Sequence, residues 1–434
     1  MDNYRIAFLA AFRILRPGAE EIVMPLIREA KKAISKLGEL LSWEPVLTTP
    51  QEGRKAVNEL LTQEPDIFVA FVAGGTEEII YPAFRDINHP LVILACDRAN
   101  SLAAALEMLS RFREMGKDVK LIYETHYGDS TAKAILDFLI PRKAVKKLRA
   151  TAIGVLGSPS PWLIGCTSNY HLLEDKFGLT VKRMDLLALY QEYQGIPSSA
   201  AETVAQEILG ETKGLKEPSH HALVEAVKLY LAVRNIVERE GLKAITVRCF
   251  DIIPLLDNTL CLALSRLNDE GIIAGCEGDI NALLSMLILH YLTGQPTWMA
   301  NPVSVDYERN TLTLAHCTAP MKIFCDPGKV VLRSHFESGK GVAVQGPFAE
   351  GEITLIRLGG SRLDKLMIGS GEIARSDMGY DYMCRTQVEV RLKGPVGGFL
   401  EKSLGNHLAL VPGKVSGYLL ELSQLLGVEP VLID

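Results

Sequence analysis

Missing from this sequence are the marks of several protein classes. Its eight cysteines (Cys96, Cys166, Cys249, Cys261, Cys276, Cys317, Cys325 and Cys384) include no Cys-x-x-Cys pair and sit mostly inside apolar stretches. That is the pattern of reduced core thiols in a cytoplasm, not of a disulfide frame or a structural zinc. No apolar run reaches the roughly 18 residues of a membrane span; the longest, 282–292, is too short. The start, Met1-Asp2-Asn3-Tyr4-Arg5, lacks a signal-peptide pattern. No long basic run stands out, and a net charge of −6 gives no electrostatic case for nucleic acid. The densest cluster, Arg142-Lys143 with Lys146, Lys147 and Arg149, reads as the wet side of a helix. Neither a Gly-x-Gly-x-x-Gly fingerprint nor a phosphate loop is present, and no internal repeat or low-complexity tract is visible.

What is there is a chain of 434 residues, too long for one ordinary core and suited to two or three domains. Its first part alternates strand and helix: strands at 5–10, 66–73, 90–96 and 119–123, helices at 18–37, 75–84, 101–115 and 130–148. Continuously apolar strands separated by helices make a parallel sheet covered on both faces, a doubly wound, Rossmann-like domain over 1–150. Gly74-Gly75-Thr76-Glu77-Glu78 and Cys96-Asp97-Arg98-Ala99-Asn100-Ser101 follow strands where such sheets bind ligands. The acidic first turn after Gly75 repels phosphate, so 74–78 reads as a simple turn more readily than as a ligand contact, and Asn100 or Ser101 is equally a helix cap or a ligand contact.

The pattern restarts at 151–156, a strand running into the loop 157–162, and continues with helices at 169–176, 185–193, 200–209 and 219–240. A strand at 242–249, a helix at 253–267 and a strand at 271–276 complete a second α/β domain, 151–296. Beyond Gln295 the helical period disappears. Short runs at 297–303, 311–316, 330–334, 341–345, 353–358, 365–370 and 386–392, bounded by turn residues, predict an antiparallel barrel or sandwich over 297–434. A helix at 414–426 and a last strand at 429–433 close it.

Chemistry concentrates at the end of the second domain. The strand 272–276 delivers Glu277, and Asp279 is placed to cap the almost wholly apolar helix 280–292. That helix must be buried, so Glu277 sits at the rim of a core, where a charge is costly without a cation or donors beside it. His316, ending a barrel strand, and His407, between a helix end and the closing helix, also stand outside amphipathic patterns. One carboxylate with two imidazoles suits manganese, iron, cobalt or zinc rather than calcium. Each histidine alone is more often a hydrogen-bonded structural residue; only their joint placement at element ends sets the metal reading level with that one. Arg333-Ser334-His335 and Cys384-Arg385-Thr386 place two guanidinium groups on barrel strands, either as a fork for an anionic sugar or as surface arginines paired with Glu337 or Asp381. Trp162 and Tyr170 are either sugar-stacking or packing aromatics.

Cys276-Glu277-Gly278-Asp279, with Ala282-Leu283-Leu284-Ser285-Met286 and His290-Tyr291-Leu292-Thr293-Gly294, resembles the Glu-x-Asp segment and following helix of the L-fucose isomerase family. Gly405-Asn406-His407, the helix after it and the terminal strand resemble that family's Ala-Asn-His segment and closing elements. The likeness is specific over about the last third of the chain; the first half matches in architecture. It implies two doubly wound α/β domains followed by a C-terminal antiparallel β-barrel. It also implies a divalent metal, usually manganese, aldose–ketose isomerisation and a homo-oligomer such as a hexamer. By position Glu277 corresponds to a metal-binding carboxylate that also acts as acid/base, and His407 to the metal-binding histidine; His316 resembles a ligand histidine of the related L-arabinose isomerases. The family's second metal carboxylate falls at Asn301, an amide that can coordinate but cannot act as a base. Three alternatives follow: Asp306 or Asp279 supplies the function, His316 fills the coordination position, or the second proton-transfer group is lost. The expected protein is a metal-dependent sugar isomerase working through a cis-enediolate, with Asn301, Trp162, Arg333, His335 and Arg385 around the substrate. A sugar-binding or regulatory protein on the same scaffold is the competing class, and a lyase or epimerase the third.

Overall fold

The computed structural model describes residues 4–13, 18–167 and 169–433; residues 1–3, on which the reading of the start partly rests, lie outside them. The chain divides into two compact units, Met1–Lys143 and Ala144–Asp434.

The first unit alternates β1 (Tyr4–Phe12), α1 (Glu20–Ile34), β2 (Gly38–Ser42), α2 (Pro50–Leu61), β3 (Ile67–Ala73), α3 (Glu77–Phe84), β4 (Leu91–Ala95), α4 (Ser101–Glu114) and β5 (Val119–Tyr123), followed by α5 (Asp129–Arg149). All strands are parallel, in the order β2-β1-β3-β4-β5. Strand period dictates the layering: Ile6, Phe8, Ala10 and Phe12 pack with α1 and α5, whereas Ala7, Leu9 and Ala11 pack with α2, α3 and α4. Each fully buried Leu, Ile or Phe contributes about 1.5–3 kcal/mol to that double-sided core. β2 and α2 fall in the stretch 38–65, to which the sequence pattern assigned no element. α2 nevertheless carries a full capping box, Thr49 accepting from the Glu52 amide and Glu52 from the Thr49 amide. The two candidate loops are joined by the Gly74 amide, which donates to Ala99 O, and the second is closed on itself by Ser101 Oγ accepting from the Cys96 amide.

The second unit opens with β6 (Ala152–Leu156), α6 (Tyr170–Phe177), β7 (Thr180–Met184), α7 (Leu186–Gly195), α8 (Ser198–Gly210) and α9 (His220–Glu240). β8 (Ala244–Val247), α10 (Ile253–Leu256), α11 (Cys261–Asp269), β9 (Ile273–Gly275) and α12 (Ile280–Thr293) follow. Its four strands are parallel in the order β7-β6-β8-β9. The single helix expected over 253–267 is two, because Asp257 takes a left-handed conformation (φ 50°) and ends α10.

The remaining elements are β10 (Trp298–Asp306), β11 (Thr311–His316), β12 (Val331–Arg333), β13 (Ala343–Gln345), β14 (Gly351–Gly359), β15 (Lys365–Ser376) and β16 (Thr386–Leu392), then α13 (Val396–Lys402), β17 (Leu408–Pro412), α14 (Ser416–Leu426) and β18 (Glu429–Leu432). β14-β17-β10-β11-β16-β15 closes on itself through the β14–β15 pairing into a six-stranded antiparallel barrel, and β18 adds to β15 in parallel. This is the expected barrel with two corrections. The runs at 330–334 and 341–345 form a separate two-stranded ribbon, β12–β13, so Arg333 is on no barrel strand. β17, for which no strand was expected, completes the barrel between β14 and β10. α12 packs against β14 and β17, and eleven of its fourteen residues are buried. Among the described residues no helix is long and apolar enough to cross a membrane.

Candidate metal centre

The carboxyl ends of β6, β8 and β9 open toward one place, as the rule for open parallel sheets requires. From β9 the chain turns through Glu277 (φ 61°) and Gly278 (φ 70°), two successive left-handed residues, before Asp279 caps α12 by accepting from the Ala282 amide at 2.9 Å. A non-glycine residue in that conformation marks a turn the surroundings impose. They are visible here: Ser160 N donates to Glu277 O at 2.8 Å, and a Cβ on Gly278 would meet Ser158 O at 2.5 Å. The loop after β6 is thereby clamped onto the turn. Asn281 holds its far end, accepting from the Thr167 amide at 3.2 Å. Trp162 on that loop donates Nε1–H to Glu277 Oε2 at 2.5 Å.

His316, at the end of β11, and His407, at the entry to β17, come from the barrel. One ligand atom from each of Glu277, His316 and His407 lies within 4.8 Å of the others, and all three residues are buried. The two imidazoles cross at 75° with centroids 5.5 Å apart. His407 Nδ1 is 2.9 Å from Asp279 Oδ2, which also accepts from Arg357 Nη1 at 2.8 Å. Asp279 thus places the Nδ1 proton and leaves Nε2 facing Glu277 Oε1, at 3.4 Å. Nε2 and the nearby Asn301 Oδ1 are buried without a hydrogen-bond partner.

Charge follows from these contacts. Burial opposes the His407 cation, but the hydrogen bond it donates to Asp279 and the neighbouring Glu277 carboxylate outweigh it and push the imidazole up to about 9. Burial, then the neighbouring His407 charge, brings His316 down to about 4, so it is neutral near pH 7. Burial works against ionising Glu277, yet His407 and the Trp162 N–H hold its carboxyl below the usual range. Asp279 is depressed further, by the Arg357 and His407 charges acting against its burial.

The cleft beside these groups is also lined by Asn301, His335 and Glu337. Phe250 and His335 line it edge to face with centroids 5.7 Å apart, and Trp162, not itself in the lining, packs edge to face on Phe250 at 5.1 Å. Of the other residues singled out, Asp306 is not brought in: it lies five residues beyond Asn301 on β10, about 17 Å away along an extended strand, and is bound to Arg309 at 2.7 Å. Tyr170 carries the Arg183 guanidinium at 4.7 Å and does not line the cleft. Arg333 and Arg385 are buried rather than on the surface and share Asp381; Arg333 is also bound by both oxygens of Glu217 at 2.7 and 2.8 Å. Glu337 is not their partner. Arg357 went unnoticed in the sequence, although an arginine inside the apolar run of β14 demanded a buried anion.

Glu277, His316 and His407, with the unpartnered His407 Nε2 and Asn301 Oδ1 buried beside them, form a group that could hold a metal ion. Comparison with curated proteins adds the chemistry of relatives. The chain is 25% identical over 324 residues to the sulfoquinovose isomerase of Priestia aryabhattai, covering 70% of each protein. It is 27% identical over 307 residues to that of Alkalicoccus urumqiensis, covering 67% of this chain and 66% of the relative. With that of Clostridium sp. (strain MSTE9) the identity is 27% over 223 residues, 51% of this chain and 50% of the relative. No protein-family model matches the chain.

Proposed function

We propose that the protein is a metal-dependent aldose–ketose isomerase acting on a sulfonated sugar, with manganese as its ion. The observation that carries this reading is the convergence of Glu277, His316 and His407 beside the unpartnered His407 Nε2 and Asn301 Oδ1. These four residues fit the ion, Asn301 as a neutral oxygen ligand. When bound it supplies electrostatic stabilisation for the two adjacent oxygens of an open-chain sugar as they gain negative charge. Glu277, held ionised and aimed by the Trp162 N–H, moves the proton between C2 and C1. Asp279 and Arg357 keep His407 in place and in the right tautomer.

A second proton-transfer group is needed because Asn301 is not basic. Asp306 is committed to Arg309 and Asp279 is sealed behind His407. His335 lines the cleft, with Nδ1 fixed by Ser338 Oγ at 3.0 Å, and takes the role. Trp162 and Phe250 wall the sugar. Arg333 and Arg385 receive the anionic substituent once the exposed Asp381, which now bridges them, swings aside. The names of the relatives support the sulfonated class. We also infer a cytoplasmic homo-oligomer, in keeping with eight free cysteines and the resemblance to hexameric isomerases, and a three-part organisation, 1–150, 151–296 and 297–434.

Manganese-loaded protein assayed against sulfoquinovose and a panel of neutral and phosphorylated aldoses tests the reading. Stoichiometric metal with turnover, abolished in Glu277→Gln while the melting temperature holds, is the expected result. Sugar binding without turnover across the panel would instead support a binding protein, the alternative that the amide at 301 favours.

A further inference from the structure

Five of the eight cysteines line the same cleft: Cys249, Cys261, Cys276, Cys317 and Cys384. They come from the exits of β8, β9 and β11, the start of α11 and the entry to β16. Nothing in the isomerase chemistry uses a thiol. Two of them are a pair. β8 and β9 are adjacent parallel strands in register Thr246↔Gly275, and the Gly278 amide donates to Val247 O at 2.9 Å just beyond the last rung. Continued, that register sets Cys276 opposite Val247, with Cys249 two residues further on at the start of a short helical turn, and the two Sγ atoms meet 2.7 Å apart. Both are buried against the protein on one side and face the cleft on the other.

We infer that Cys249 and Cys276 are a thiol pair oxidised by hydroperoxide to a reversible disulfide in the wall of the cleft, one residue before Glu277. The two sulfurs already lie closer than unbonded contact, and the disulfide bond of about 2.05 Å needs only a small approach of side chains whose strands are already paired. The chemistry balances with a hydroperoxide small enough to enter the cleft. One sulfur attacks the distal peroxide oxygen; the S–O bond forms as the O–O bond breaks, and the alcohol, or water from hydrogen peroxide, departs. The second sulfur then attacks the sulfenic sulfur, forming S–S and expelling the oxygen as water. Two electrons pass from the thiol pair to the peroxide. A thiol reductant reverses the bond by exchange. In a reducing compartment the state is therefore transient, as intracellular disulfides generally are.

The experiment is independent of substrate identity and of turnover. Purified, reduced full-length protein is treated with hydrogen peroxide, alkylated in denaturant and mapped by peptide mass spectrometry. The expected result is the loss of two thiols per chain, recovered as one cross-linked peptide pair containing Cys249 and Cys276 that dithiothreitol separates. Cys249→Ser should abolish the cross-link and leave Cys276 trapped by dimedone as a sulfenic acid. Cys249 and Cys276 both recovered alkylated would overturn the proposal. So would either one joined to Cys261, Cys317 or Cys384, or either oxidised to sulfinic acid without a cross-link. Mapping of the unsubstituted protein decides the matter even should the variant fail to fold.

Discussion

His407 is where the chemistry of single residues is most exposed to measurement. Its imidazole holds a proton up to about pH 9, because Asp279 and Glu277 together outweigh the cost of burial. An ion taken at Nε2 must expel that proton, whereas Glu277 is already ionised and His316 already neutral near pH 7. Below about pH 9 each bound ion therefore releases a proton, and manganese affinity should weaken as pH falls, by up to roughly tenfold per pH unit. Calorimetric titration in buffers of different ionisation enthalpy would count the proton directly; flat affinity between pH 6.5 and 8.5 would mean that binding displaces no proton from His407. His407→Ala should lower affinity at least about tenfold and flatten the pH dependence together. At this scale the sequence was informative about identity but not partnership. Glu277, His316 and His407 announced themselves by sitting at element ends outside any amphipathic pattern. The second carboxylate of the site, Asp279, looked like a helix cap and is one, but the same side chain also orients His407 through its other oxygen. A capping residue with a second task carries no separate mark in a sequence.

The turn between β9 and α12 shows how an element junction sets a site. Gly278 and Gly294 both adopt left-handed conformations, φ 70° and 67°, at opposite ends of α12. A methyl group on Gly294 would meet nothing within 4 Å, whereas on Gly278 it would run into Ser158 O at 2.5 Å and Pro159 Cα at 2.9 Å. The intrinsic cost of putting an L-residue in the left-handed conformation, about 1–2 kcal/mol, is common to both. Gly278→Ala should therefore exceed Gly294→Ala by about 1–3 kcal/mol in urea unfolding, the usual size of an overpacking strain. Equal midpoints would mean that the loop carrying Trp162 is not clamped to the turn. Elements with strong periodic or continuous apolar runs, such as β3, β11, β16 and α12, were legible in the residues alone. β2 and β7 were not: Gly38–Ser42 and Thr180–Met184 are half-exposed edge strands whose mixed composition mimics loop. β17 escaped for the opposite reason, since Leu-Ala-Leu-Val-Pro is buried along nearly its whole length, lacks polar alternation and ends in proline.

Across the whole second unit, one buried ion pair joins its two halves. Asp279 starts the helix behind the parallel sheet, Arg357 lies toward the end of barrel strand β14, and the arginine also donates to His407 O at 3.0 Å. Both side chains are essentially out of solvent, 0% and 1% exposed. Gly405, at φ 149°, is the residue that lets the chain pass: a Cβ there would stand 2.9 Å from the guanidinium. The fold class was readable from the alternation of helices and strands giving way to short β runs. The convergence of Arg357, Asp279 and Gly405 was not, because each comes from a different element and they meet only where α12 packs on the barrel. That dependence can be measured. Removing the guanidinium in Arg357→Met keeps most of the volume but strands a buried carboxylate, and should cost about 3–5 kcal/mol of stability. Neutralising the carboxylate as well, in Asp279→Asn/Arg357→Met, should recover part of that loss, since the stranded charge and not the missing pair is the larger penalty. If Arg357→Met unfolds at the same denaturant concentration as the unsubstituted protein, the ion pair is not what couples the sheet to the barrel. If the double variant is less stable than Arg357→Met alone, the capping and histidine bonds of Asp279 outweigh the relief of its charge.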